Sequence, residues 1–309
     1  MPSAVVFAYH NVGVACLKVL LRHGVNIELI VTHVDNPDEN IWFDSVAELA
    51  AANDIPVVTP EDPNTPAFIH QITVLKPDFL FSFYYRMMLS PTMLAAAPRG
   101  AFNMHGSLLP MYRGRVPINW AIIKGETETG ATLHEMVEKP DAGRIVDQEM
   151  VAILPDDNAL QVFNNVAAAA ALTLDRVLPA LLDGSAVMRP QDLTKGSYYG
   201  GRKPADGVIN WHDSALNIHN LVRAVAPPYP GATTTVKGQP IMITRTSLAP
   251  PHFTHSKPGF LNVSSTRCIA LCGDGRLLRV QEARFDGKIH DEAALCGILG
   301  VGIYPLGIY

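Results

Sequence analysis

The chain has 309 residues, 17% of them charged and 48% drawn from AVILMFWYC, the balance of a folded protein and far from that of a disordered one. That length is a prior of about two domains and is ample for a large core. A net charge of −5 argues against a transfer RNA binder, which needs a concentrated basic surface to neutralise phosphates.

The first half alternates strand-like and helix-like runs. Apolar, β-branched or aromatic stretches at 4–9, 27–32, 56–59, 79–83 and 101–105 read as strands, and helical spacing occurs over 13–23, 45–53, 68–74 and 91–97. Strands separated by helices of about ten residues mean βαβ units and a mostly parallel sheet, whose ligands bind beyond the carboxyl ends of the strands. A helix is expected over 117–124, two more strands over 130–137 and 144–153, and a long helix over 158–182 before Gly184. The composition then shifts: "KGSYYGGRKPADG", 195–207, is rich in glycine, proline and charge and reads as a linker. Beyond it, helices are expected near 214–224 and 291–296. About five short strands, at 232–237, 241–247, 259–263, 268–272 and 277–285, suggest a small barrel or open β fold.

Absences narrow the choice. "FAYHNVGVA" stands after the first strand where a dinucleotide binder would carry GxGxxG, and there is no GxxxxGK[ST] loop or GxSxG elbow. Cys16, Cys268, Cys272 and Cys296 fall in no metal-ligand spacing and read as idle thiols of a reducing compartment; the 11 histidines do not cluster at ligand spacing either. "MPSAVVFAYH" lacks the basic and apolar regions of a signal peptide, and the apolar stretch at 166–174 is too short to span a bilayer, so the cytoplasm is expected.

The chemistry concentrates in "AFNMHGSLLPMYRGRVPINW", 101–120. Side chains two apart on a strand share a face, so Asn103 and His105 point together at the crevice where Gly106 opens the backbone. An amide beside an imidazole suits acyl transfer: the amide holds a developing oxyanion while the imidazole moves a proton. The plain alternative is a polar pair satisfying local backbone groups. Downstream, Asp141 lies in a Pro-Asp-Ala-Gly turn that could present it at the same sheet edge, where a carboxylate would favour the imidazolium. An aspartate before glycine is also, on its own, an ordinary turn residue.

"FNMHGSLLPMYRGRVPINWAI" followed by "GETETGATLHEMVEKPDAGRIV" closely resembles the folate-dependent formyltransferases, which include glycinamide ribonucleotide and methionyl-tRNA formyltransferases. "VVFAYHNVG", "THVDNP", "SVAELAA", "FSFYYRMML", "NWHDSALNIHNLVRAVAPPYPGA" and "IALCGDG" resemble one branch, the UDP-4-amino-4-deoxy-L-arabinose formyltransferases of polymyxin resistance. The resemblance covers nearly the whole chain. It implies an α/β, Rossmann-like, mostly parallel sheet with helices on both faces, binding 10-formyltetrahydrofolate over 1–194. A linker at 195–207 and a small β-rich, OB-like domain at 208–309 would follow. It also implies roles. Asn103 would stabilise the tetrahedral oxyanion, His105 would donate a proton, and Asp141 would raise the pKa of that histidine. The donor 10-formyltetrahydrofolate would sit in a pterin pocket lined by Met87, Met88 and Leu89 and by Val137, Glu138, Lys139, Pro140 and Asp141. Arg115 matches an arginine of donor binding, whereas Met87 replaces a histidine, so its contact would be apolar or through the backbone.

The reaction so implied needs no metal. It gives UDP-4-deoxy-4-formamido-L-arabinose for lipid A modification, with small-molecule partners and no nucleic acid or membrane. Alternatives are another nucleotide-linked aminosugar, methionyl-tRNA, or a hydrolase-type module that releases formate. Relatives in the branch often carry a Rossmann-type decarboxylase after this region; the sequence here runs to Tyr309. Ser107 to Gly114 reads as a segment that shapes the site. Arg113 is a further anion-ligand candidate, Tyr84, Tyr85 and Arg86 stand at a strand end facing the crevice, and Arg202 and Lys203 could meet a diphosphate or lie exposed. Trp211 and His212 read as core and surface, and His10 receives no role.

Overall fold

A computed structural model describes residues 1–37, 40–250 and 257–307. The chain folds as two compact units, one of Met1–Pro117, Glu128–Ala152 and Phe163–Gly200, the other of Ile118–Thr127, Ile153–Val162 and Gly201–Tyr309.

In the first unit, β1 (Ser3–Ala8), β2 (Asn26–Val31), β3 (Val57–Val58), β4 (Phe79–Phe83) and β5 (Ala101–His105) run parallel. Two further strands, β7 (Glu128–Glu135) and β8 (Ile145–Ala152), continue the sheet in antiparallel fashion. The order β3-β2-β1-β4-β5-β7-β8 reverses direction between β1 and β4, which is where a doubly wound sheet opens its crevice. Its central strands are near-continuous apolar runs, with Val5, Val6, Phe7, Leu80, Phe81, Phe83 and Phe102 buried, as strands covered on both faces require. A short parallel pair, β6 (Arg113–Gly114) with β9 (Tyr198–Tyr199), ties the segment after β5 to residues that lie within 195–207.

The helices are α1 (His10–Arg22), α2 (Val46–Ala51), α3 (Pro66–Leu75), α4 (Pro91–Leu94), α5 (Pro117–Ile123) and α6 (Ala159–Asp183), then α7 (Ala215–Val225) and α8 (Glu292–Leu299). Their starts follow from the sequence. The side chains of Ser45, Thr65, Ser90, Ser214 and Asp291 each accept the N–H three residues on, and Pro66 and Pro91 take first-turn positions whose N–H would be orphaned anyway. By length and composition α6 could cross a membrane. Val166, Ala170, Leu174, Leu178 and Leu181 instead recur at helical spacing as a buried stripe.

In the second unit the strands are β10 (Ala232–Val236), β11 (Gln239–Leu248), β12 (Phe260–Val263), β13 (Cys268–Leu271), β14 (Leu277–Phe285), β15 (Lys288–Asp291) and β16 (Gly302–Gly307). They are antiparallel in the order β11-β10-β16-β12-β13-β14-β15, and β11 also pairs with β14. That pairing closes a six-stranded barrel with β15 attached outside it, the OB-like architecture expected. β15 and β16 exceed the five strands read from the sequence, because Pro305 and the Gly302 and Gly307 ends of β16 carry turn signals rather than strand signals. Trp211 is buried there with its indole N–H donated to Thr234 Oγ1 at 2.9 Å, and His212 is exposed.

Candidate active site

β5 ends in alternation: Phe102 and Met104 are buried, while Asn103 and His105 share the other face. Directly across from Asn103, on antiparallel β7, stands His134. Sequence reading missed this residue. Its signal was only the alternation of "TLHE", and the register that sets it against Asn103 is a long-range fact.

Asp141 reaches this face by an indirect route. Because β7 runs against β5, it ends beside the start of β5, where the Met136 N–H bonds to the Ala101 carbonyl at 2.7 Å. The following loop turns back along the sheet. Gln191 clamps it, donating from Nε2 to the carbonyls of Asp141 at 3.0 Å and Gly143 at 2.6 Å. Asp141 itself adopts φ 51°, the left-handed region a non-glycine residue rarely occupies outside turns and functional sites.

The result brings the three expected polar groups together. Asp141 Oδ1 lies 3.6 Å from His105 Nδ1 and 3.5 Å from His134 Nε2, and Oδ2 accepts the Gly114 N–H at 2.8 Å. Burial works against ionising this carboxyl, yet the neighbouring His105 and His134 rings and the Gly114 N–H outweigh it and hold the group well below the usual carboxylate range. His105 is 6% exposed, and its Nε2 sits 2.8 Å from the Tyr112 carbonyl; a carbonyl only accepts, so this nitrogen carries a proton. Asn103 Nδ2 is 3.1 Å from His134 Nε2.

The segment 107–114 is a scaffold for these contacts. Ser107 is fully buried and donates to the Met111 carbonyl at 2.6 Å. Its own carbonyl accepts from Thr132 Oγ1 at 2.6 Å, and Thr132 Oγ1 in turn accepts the Leu109 N–H at 3.2 Å and Gln148 Nε2 at 2.9 Å. The Tyr112 N–H donates to Ser197 Oγ at 2.9 Å, and the ring stacks on Tyr199. Gly106 has no room for a side chain, since a Cβ there would overlap the Tyr84 hydroxyl.

The residues expected to hold a donor divide by exposure. Met87, Met88 and Val137 are exposed, as are Glu138 and Lys139, and Pro140 is half-buried. Leu89 belongs to the apolar core, against which Met136 also packs, so both stretches, 87–89 and 136–141, are rooted in one cluster. Asn64, not anticipated, ties the first of them down: it donates to the Met88 carbonyl at 2.9 Å and accepts the Ser90 N–H at 2.7 Å. Arg115 is exposed with its N–H on the Tyr199 carbonyl, whereas Arg113 is 8% exposed. Arg202 lies over the Trp120 ring in the second unit and donates to the Asp206 carbonyl.

Beyond the ends of β1 and β4 stands an aromatic cluster the sequence did not announce. His10 stacks on Phe43 at 4.0 Å and meets Trp42 and Phe163 edge-on, His33 stacks on Tyr85, and Arg86 lies over Tyr9. Burial, aided by the Arg86 charge, pushes the His10 pKa down to about 3, so this ring is neutral. Among the described residues no group of three or more His, Cys, Asp or Glu could hold a metal.

Several solved structures share this fold. An N-formyltransferase from Helicobacter canadensis, in complex with folinic acid and dTDP-3-aminofucose, matches with a TM-score of 0.72 at 20% identity over 91% of this chain and 99% of its own. WlaRD, a sugar 3N-formyl transferase crystallised with dTDP and 5-N-formyl-THF, gives 0.72 at 20% identity over 93% and 99%. HypX from Aquifex aeolicus, in complex with tetrahydrofolic acid, gives 0.62 at 16% over 96% of this chain but 47% of its own. The family model for the formyl transferase domain matches residues 15–178 and that for the formyl transferase C-terminal domain matches 202–295, so the chain belongs to the formyl transferase family and is a formyltransferase enzyme.

Proposed function

We propose that this enzyme moves a formyl group from 10-formyltetrahydrofolate to the amine of a nucleotide-linked sugar, and that the acceptor is UDP-4-amino-4-deoxy-L-arabinose. The observation that carries the reading is the convergence of Asn103, His105 and Asp141 on one sheet face, with the Asp141 carboxylate 3.6 Å from the His105 ring. The folate- and aminosugar-bound relatives support the reactant classes. The branch-level motifs, "VVFAYHNVG" and "FSFYYRMML" among them, support the particular sugar. In this reading residues 1–194 carry the chemistry, 195–207 connect, 208–309 form the OB-like domain, and the enzyme acts in the cytoplasm.

The roles follow from acyl-transfer chemistry. The unprotonated acceptor nitrogen attacks the formyl carbon, a C–N bond forms, and negative charge collects on the formyl oxygen, where an Asn103 N–H stabilises it. The bond from the formyl carbon to the folate nitrogen then breaks. That nitrogen is a poor leaving group as an anion, so His105 supplies its proton and is restored by the proton the acceptor nitrogen sheds. Asp141 holds the charged ring. Exposed Met87, Met88 and Val137 offer apolar surface for a pterin, with Leu89, Glu138, Lys139, Pro140 and Arg115 as the remaining donor contacts.

The test is a panel. Purified protein with 10-formyltetrahydrofolate is offered UDP-, dTDP- and CDP-linked aminosugars, methionyl-tRNA, or no acceptor, while tetrahydrofolate release, acceptor mass and free formate are measured. A mass gain of one CO on the UDP-aminosugar is expected. Formylation of another acceptor alone would replace the proposed sugar, and formate release independent of any amine would replace transfer with hydrolysis.

A further inference from the structure

His134 is 2% exposed and faces the reactive pair, yet the mechanism above gives it no task. Its hydrogen bonds define one. Nδ1 lies 2.9 Å from the Glu135 carbonyl, which can only accept, so Nδ1 carries the proton. In the neutral ring Nε2 is then a lone-pair acceptor. Two groups compete for that lone pair's position with opposite demands: the Asn103 amide at 3.1 Å and Asp141 Oδ1 at 3.5 Å. The amide is nearer. The carboxylate already has the Gly114 N–H on Oδ2 and the His105 ring facing Oδ1.

We infer that His134 is a positioning residue: as an acceptor it draws one N–H of the Asn103 amide toward itself, fixing which end of the amide faces the crevice and leaving the second N–H for the formyl oxygen. A side-chain amide flips at little cost unless its partner tells donor from acceptor, and an oxyanion hole works only when its donor is already in place. The imidazole supplies that discrimination. The inference rests on the reading of Asn103 as the oxyanion donor.

The kinetic test is a double-mutant cycle on the full chain. His134→Leu should lower kcat roughly 10- to 100-fold, within the 10²–10³ range known for losing an oxyanion donor, with both KM values changed less than about 3-fold. His134→Gln, whose carbonyl can accept, should recover about 10-fold of that loss. In an Asn103→Ala background, His134→Leu should cost less than about 3-fold more, because its target is gone. Losses that multiply, a Gln variant no better than Leu, or an effect confined to KM would overturn the inference. If Asn103→Ala itself is near wild type, the functional reading fails instead. Nitrogen chemical shifts of wild-type His134 give a measure that needs no variant: an unprotonated Nε2 at neutral pH is expected, and an Nε2–H would refute the assignment even if His134→Leu does not fold.

Discussion

Gly143 packs against the carbonyl of Glu135 so closely that a Cβ would overlap the oxygen and its carbon, and that same carbonyl receives the His134 Nδ1 proton. The last residue of the Asp-Ala-Gly turn therefore sits behind the imidazole that faces Asn103. Gly143→Ala must push the Glu135 backbone or the returning loop aside, a strain of about 1–3 kcal/mol. Denaturant titration should show that loss of stability, accompanied by a lower kcat; an unchanged midpoint would mean the loop yields freely.

Asn103→Ala removes the proposed oxyanion donor and leaves the neighbouring rings in place. Single-turnover rates should drop on the order of 10²–10³-fold while folate-analogue binding holds. A parallel fall in both would assign Asn103 to binding.

For Asp141 the prediction concerns pH. Its carboxyl is depressed when folded: burial opposes ionisation, but the His105 and His134 rings and the Gly114 N–H prevail. Such a group adds stability above its unfolded pKa, about 3.9, and that contribution is lost as pH falls through the lower folded value. Asp141→Asn should therefore be destabilised relative to wild type near neutrality, and the gap should narrow as the pH drops well below 4. A gap independent of pH would show that the carboxylate charge is not what the fold uses.

Gly106 and the Tyr84 hydroxyl compete for one place. Gly106→Ala should destabilise by about 1–3 kcal/mol and impair turnover, and Tyr84→Phe, which removes the colliding oxygen, should restore part of both. Additive losses in the double variant would argue against the clash.

Thr132 is fully buried, and its hydroxyl serves Ser107, Leu109 and Gln148 at once. Thr132→Val keeps the shape but strands those partners, so thermal unfolding should reveal a loss of about 1–3 kcal/mol or more. A variant as stable as wild type would mean water replaces the hydroxyl.

Most of the parallel sheet was legible because its strands are short apolar runs between capped helices: 79–83 and 101–105 coincide with β4 and β5. Asn103 and His105 were legible for the same reason, since period-two spacing needs no tertiary knowledge. Asp141 stands beside His105, but not by the simple turn the sequence suggests. A simple turn between β7 and β8 would leave it near Ala101, and only the loop's return, clamped by Gln191 from far along the chain, delivers it. His134, Gly114 and Asn64 act through register and backbone contacts, which no local pattern encodes. The closure of β11 on β14 is likewise a pairing of strands distant in sequence.

The return of the 136–144 segment has an energetic corollary. Its ends are fixed, by Met136 on Ala101 and by Arg144 on Glu135, but between them the loop hangs chiefly on the Gln191 side chain and the Gly114 amide, whereas the sheet beneath is sealed by buried phenylalanines. Segments held so lightly open by local unfolding at far less free energy than the whole domain. Each such opening would carry the carboxylate away from its imidazole, so the expected consequence is a minor population of folded yet catalytically silent molecules in equilibrium with the competent one. Amide exchange at Gly114, whose N–H the carboxylate holds, would count them.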